Sequence, residues 1–516
     1  GSVAIQSGGT FRFAGTGTMN LAGTKTFNNG GTIAWSSPSS LLNFSGGSIT
    51  VNNNANIDIT ANAAMNNGGN GASTFTINNG STGIITKSGI GTSTFGAGVT
   101  VSSTIGGVIF VSDGILQFNA ANLVNFGTLQ FADSKTLDLV NATTSLNGNT
   151  SIIGTGNINI NGGTVSLGFA VQIPSGTSVN LSAGSLQGNN TMRLLAGATM
   201  NWSGGGIQGN AGLIVNSDAN LNISNTVGTA GNNLITNDGT ITWTGPGSFQ
   251  YDGVASGSQI LNNGIFNIGN TGGFQNIGGG SNVFYITNSA SGTITKTNGN
   301  TTLDGNTILE NSGTLNVSSG SLILNSVFNF NLYAGSFNIA PGAELTGAAN
   351  INFTGTTFTD NGKVSTAELA FTGTSAQTLV GSGEIQTLRI NNANGLTLTG
   401  SPDVYFFLHL TNGKINTAEN ILRFTAANNN ITGAGNNSYI VGNFEHRFSI
   451  PGAKTFPIGT AGTYAPVTLD PSFTGNGAIR AKTDDGDHQD IATSGINASK
   501  SVNRNWTITN NGLNFT

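Results

Sequence analysis

Residues 28–35 read Asn-Asn-Gly-Gly-Thr-Ile-Ala-Trp, and residues 236–243 read Thr-Asn-Asp-Gly-Thr-Ile-Thr-Trp. The two tryptophans are 208 residues apart, and the same offset carries Pro38 onto Pro246, Gly127 onto Gly335 and Ala132 onto Ala340. With a shift of one residue, Phe75 falls on Phe284, Ile77 on Ile286 and Lys87 on Lys296. Matches that hold register over so long a stretch mark a duplicated repeat block.

Outward from these stretches the hydrophobic residues come in short alternating runs, such as Thr32–Trp35, Ser48–Val51 and Thr136–Val140, each introduced by Gly, Asn or Ser. Period-two runs of this length predict strands, and no segment keeps helical spacing for more than a turn or two. Two or three strands make a coil of roughly 20–25 residues, which predicts an all-β, right-handed parallel β-helix (β-solenoid). Ile33 and Trp35, or Leu315 and Val317, then face inward and stack on the next coil about 4.8 Å away, while Thr32, Thr314 and Asn316 face out. The Asn-x-Gly punctuation is expected to supply φ > 0 at the turns.

Only 7% of the 516 residues are charged and 79 are Gly, but 36% are hydrophobic and 29 are Phe, too apolar for a disordered chain. The net charge of −5, with 16 Lys plus Arg, leaves no basic stripe for a phosphate backbone, so nucleic acid is not expected as a partner. The chain has no cysteine, which excludes disulfides and thiolate metal sites. Signal peptide, membrane span and lipidation motif are not recognised, so a mature or trimmed fragment is expected.

Residues 1–165 form a first solenoid block, 166–231 bridging coils, 232–374 a second block and 375–439 terminal coils. At roughly 20–25 residues per coil, the roughly 370 residues up to the end of the second block predict on the order of 15–18 coils. Tyr405–Thr411 brings together a Tyr, two Phe and a His. Residues 440–516 carry much of the clustered charge together with Pro451, Pro457, Pro466 and Pro471. That segment predicts a separate β-sandwich-like module, cut off at Thr516.

The block pattern, Asn-x-Gly-Thr-Ile/Leu followed by Gly-x-Ile-Thr-Lys, resembles the long β-solenoid regions of secreted bacterial surface proteins of adhesin-like architecture. Ser438–Gly442, Thr455–Gly459, Tyr464–Leu469 and Ser501–Thr509 are similar to a module near the C-terminus of large Bacteroidetes surface proteins exported by type IX secretion. The resemblance implies an extracellular protein displayed at the cell surface.

Candidate chemistry is sparse. Asp58, Asp113, Asp133 and Asp138, then Asp218, Asp238, Asp252, Asp304 and Glu310, are scattered, with no repeated register that would pair two carboxylates on adjacent coils for acid/base work. Catalysis is therefore not expected. The densest acidic run, residues 484–490, offers Asp485, Asp487 and Asp490 as oxygen ligands for a candidate Ca2+ site, against the plainer reading of a solvated turn. His409, His446 and His488 lack metal-ligand spacing, and His446, between Glu445 and Arg447, is expected on a polar strand face. Trp35, Trp202 and Trp243 are in inward phase, which favours core stacking over a sugar platform. Lys87 and Lys296 are expected to blunt exposed edges. Thr240/Thr242 and Thr293/Thr295 would suit an ice-ordering array only if repeated on every coil, and they alternate with other pairs.

The expected role is a non-catalytic stalk, adhesin or filament subunit, whose partners are surface glycans or other copies of itself. The alternative is a polysaccharide-binding or polysaccharide-cleaving β-helix.

Overall fold

The computed structural model describes residues 1–36, 42–45, 47–67, 73–252, 258–279, 283–326 and 333–516, and Pro38 lies outside them. About 60% of the chain is strand, wound into a parallel β-solenoid of about 20 turns. That exceeds the number expected because the count stopped at the second block and winding continues through the terminal coils. The only helical turns among the described residues are the short 3-10 segments Ile491–Thr493 and Ala498–Lys500. The chain divides into two compact units, Gly1–Tyr285 and Ile286–Thr516.

In the first unit each coil carries three strands, and each strand pairs in parallel with its counterpart one coil on. Thr32–Trp35 pairs with Asn56–Ile59, which pairs with Ile84–Lys87, then Val108–Val111, Thr128–Phe131 and Ser151–Gly154. Alternation does what the sequence predicts: Ile33, Trp35, Leu315 and Val317 are buried, and Thr32, Thr314 and Asn316 are half-buried on the outer face. Each buried aliphatic side chain contributes about 1.5–3 kcal/mol, and stacking lets every coil seal the lining of its neighbours. Trp202, Trp243, Phe249, Phe274 and Phe284 form one aromatic run, with Trp243 and Phe274 edge to face at 5.1 Å. The indoles therefore serve the core and offer no sugar platform.

The two quoted stretches are not in one column. Thr32–Trp35 belongs to the face followed above, whereas Thr240–Trp243 stacks through Asn220, Thr199, Ser178, Asn157 and Thr136 onto Ile115 and Thr92. Thr92–Phe95 is the strand after Ile84–Lys87 in the same coil. The second copy of the motif thus sits one face further round.

The corner asparagines do different work from the one expected. Asn29, Asn237, Asn262 and Asn311, each with Gly two residues on, and Asn53, Asn79 and Asn288, without it, are all buried, and none has positive φ. They point inward at the corner and bond along the stack: Asn29 Nδ2 donates to Asn53 Oδ1 at 2.7 Å, Asn53 to Asn79 at 2.8 Å, and Asn79 to Ser103 Oγ at 3.1 Å. Most of these amides also reach a backbone carbonyl of the next coil, as from Asn29 to Asn56 at 2.8 Å and from Asn237 to Ile265 at 2.9 Å. The following glycine answers a lack of space: a Cβ on Gly239 would lie 2.3 Å from the Asn216 carbonyl oxygen. A buried corner is tolerable because most of its polar groups are paired, Asn237 Oδ1 being one that is not.

Lys87 and Lys296 do not blunt an edge, since both are fully buried. Each lies two residues after a buried isoleucine, Ile85 or Ile294, and so in the same inward phase. Their ammonium groups donate to the carbonyls of Gly89 and Asn298. Burial pushes both amines down, Lys296 to about 8. Because the folded state disfavours the Lys296 charge, its contribution to stability should rise with pH from about 8 to about 10.5. A denaturation series across that window is expected to show this slope in the native chain and its loss in Lys296→Met.

In the second unit parallel winding continues through Glu344–Phe353, Lys363–Phe371, Glu384–Asn391, Asp403–Asn412, Ile415–Phe424 and Ile440–Phe448. Strand direction then changes. Ile440–Phe448 stays parallel to Ile458–Gly459 but pairs antiparallel with Gly477–Asp485, itself antiparallel to Arg504–Asn511. Residues 440–516 therefore grow out of the last coil through a shared strand. Pro457, which has no N–H to give a ladder, separates Lys454–Phe456 from Ile458–Gly459. His446, expected on a polar face, is buried among Phe424, Phe444, Phe448 and Phe456 with ring centroids 5.1–6.1 Å away. Burial, and then Lys454, push its imidazole down to about 3, so it stays neutral in the core.

Candidate functional site

The carboxylates of the proposed Ca2+ site are engaged separately. Asp485 pairs with Arg504, Asp487 accepts a hydrogen bond from Ser501, and Asp490 lies 3.5 Å from His488. Among the described residues no group of three or more His, Asp or Glu is placed to hold a metal ion.

What the second unit does gather is a ladder of charge. Glu344 lies opposite Lys363, Lys363 opposite Glu384, Glu384 opposite Asp403, Asp403 opposite Arg423, Arg423 opposite Glu445 and Glu445 opposite Arg480. Strand alternation turns them all to one outer face, at about 4.8 Å per strand. Neighbours neutralise one another: Lys363 is 3.2 Å from Glu344, and Arg423 is 3.0 Å from Asp403 and 3.9 Å from Glu445. Burial alone would raise the Glu344 carboxyl, but hydrogen bonds from Ser365 and Lys363 with the Lys363 charge outweigh it and hold the group below its ordinary value. The hydrogen bond to Glu344 raises Lys363 in turn. Glu384 and Asp403 do put two carboxylates on adjacent coils. Asp403 is tied to Arg423 and Glu384 is exposed, an arrangement without an enclosing wall.

Beside the ladder the strand Asp403–Asn412 bulges between Val404 and Phe407. There Tyr405 sits under the Lys363 ammonium at 5.8 Å, and Phe406, 47% exposed, packs edge-on against Phe407. Phe407 stacks on His409, which shares a 2.7 Å hydrogen bond with Thr432. Arg389 forks onto Glu368 at 2.7 and 2.8 Å and donates to Thr411 at 3.0 Å. The aromatic grouping was visible in the sequence; the ladder was missed. Its signal is one ionisable residue at each coil length, at 344, 363, 384, 403, 423 and 445.

One buried acid stands apart. Asp360-Asn361-Gly362 repeats the corner motif with Asp in place of Asn, at a bend where the preceding coil has Ile339, and its Oδ1 accepts from Gly362 N at 3.1 Å, as Asn29 Oδ1 does from Gly31. Oδ2 is buried and has no partner. By the register that carries Asn29 to the Asn56 carbonyl, the group facing Oδ2 is the Glu384 carbonyl. Two acceptors meet there unless the carboxyl keeps its proton. Burial, with Glu384 nearby, raises it to about 7.

The residues that carry the C-terminal resemblance come together in space. Ile440 pairs with Ile458, the Tyr439 and Tyr464 rings lie 5.4 Å apart, and Trp506 Nε1 donates to the Ala465 carbonyl. No protein-family model matches this chain, and no curated protein is significantly similar to it.

Proposed function

We propose that this chain is an extracellular, non-catalytic β-solenoid of the cell surface, acting as a stalk, adhesin or filament subunit that meets surface glycans or other copies of itself. The observation that carries the reading is how the outer faces are made. They are polar ladders, such as Asn159, Asn180, Asn201 and Asn222 bonded in series at 2.8–2.9 Å, and ionisable groups of the second unit pair across strands. Such a surface suits many weak contacts over a regular array. Export by type IX secretion agrees with the C-terminal resemblance. Protease shaving of intact producing cells is expected to release the chain, and retention inside the cell would overturn the reading.

A second reading, polysaccharide binding or cleavage, is favoured by an open cleft of about 420 Å3 in the first unit, floored by Gly206 and Gly228 and edged by Gln208, Gln250 and Asp252. A glycan array with a reducing-end assay separates the two. Binding that is lost in Gln250→Ala, or new reducing ends, would support the second.

A further inference from the structure

We infer that the charged ladder of the second unit is a self-recognition surface, on which a second copy of this chain docks face to face and antiparallel about a two-fold axis through Asp403. From Glu344 to Arg480 the signs run minus, plus, minus, minus, plus, minus, plus. Turned end for end, the series opposes itself at every place but the centre. Glu344 meets Arg480 of the other copy, Lys363 meets Glu445, Glu384 meets Arg423, and Asp403 meets Asp403. Regular strand spacing lets these pairs register together over about 29 Å. A two-fold contact needs such a self-complementary patch, and the partner certain to carry the matching series is another copy.

Beside the axis the half-buried Tyr405 and the exposed Phe406 supply the apolar centre that a charged rim needs around it. The ion pairs within each chain persist on docking. Charges at this exposure fix register and partner more than they fix affinity. The inference rests on the proposed reading in one respect, that copies of the chain meet. Its test uses purified protein in solution, so its failure would leave surface display standing, and failure of display would leave this contact standing.

The test is sedimentation equilibrium of the full chain at low and high salt, with Lys363→Glu, Glu445→Lys and a one-to-one mixture of these two variants. The native chain is expected to dimerise at low salt and to weaken as salt screens the pairs. Each single variant should lose at least about tenfold in dimer affinity, because position 363 then repels position 445 across the axis. In the mixture the two variants attract each other, and a heterodimer near native strength should form. No rearrangement within either chain can produce that recovery. Asp403→Asn, which removes the one repulsive pair, should tighten the dimer. Glu384→Lys with Arg423→Glu gives an independent mixing pair if circular dichroism shows the first variants misfolded. A native chain that stays monomeric at low salt, or mixtures no tighter than their components, would overturn the inference.

Discussion

Replacing Asp360 by asparagine should leave the surrounding coils as stable as native near about pH 4 and make them about 2–4 kcal/mol more stable near about pH 8. The sign follows from the raised carboxyl, which is held at about 7 against an ordinary value of 3.8. Between those values the folded state keeps a proton that the unfolded chain releases. Its stabilisation is therefore complete below about pH 4 and lost as pH rises through about 7. An amide needs no proton to donate to the Glu384 carbonyl, so the variant should be flat over the window. Hydrogen exchange of residues 357–366, followed from acid to alkaline pH, reads the local opening free energy directly. Parallel profiles for native chain and variant would show that Asp360 is not held neutral.

The second large effect is expected at Asn53. This side chain accepts from Asn29 at 2.7 Å and donates to Asn79 at 2.8 Å and to the Ile84 carbonyl at 3.3 Å. Leucine keeps the volume but strands a donor on Asn29 and an acceptor on Asn79, both buried, and an acceptor on the exposed Ile84. Leaving such groups unpaired costs about 1–3 kcal/mol each, so Asn53→Leu should lose roughly 2–5 kcal/mol of stability. Asn201 sits in the outer ladder, where water replaces a lost partner, and Asn201→Leu should cost less than about 1 kcal/mol. Urea titration of the two variants decides between a corner that merely turns the chain and one that holds adjacent coils together. Equal midpoints would count against the second.

Much of this architecture was legible from alternation alone. Ile33 and Trp35 go in and Thr32 stays out because a strand offers two faces, and a parallel stack asks only that the inner one be apolar in every coil. The same parity, applied strictly, places Lys87 and Lys296 inside; lysine's usual preference for the surface concealed it. The role of Asn29 was hidden for another reason. Positive φ and an inward amide ladder both favour asparagine, and only the stacking partner, 24 residues on, distinguishes them. The charged ladder needed the coil length to be known residue by residue, since 344, 363 and 384 share nothing until the coils between them are counted. The shared strand Ile440–Phe448 was illegible, because one run of alternating residues serves a parallel and an antiparallel neighbour equally well.

The one-face displacement of Trp243 from Trp35 bears on how such chains grow. A copied segment need not span a whole number of windings. Landing a third of a turn out of step leaves its apolar residues inside and its glycine at a bend, because the next bend hosts the same asparagine. Lengthening of the protein is thereby freed from counting whole turns. The identity of a side, and anything that binds there, is set by the residues that arrive and not by their ancestry.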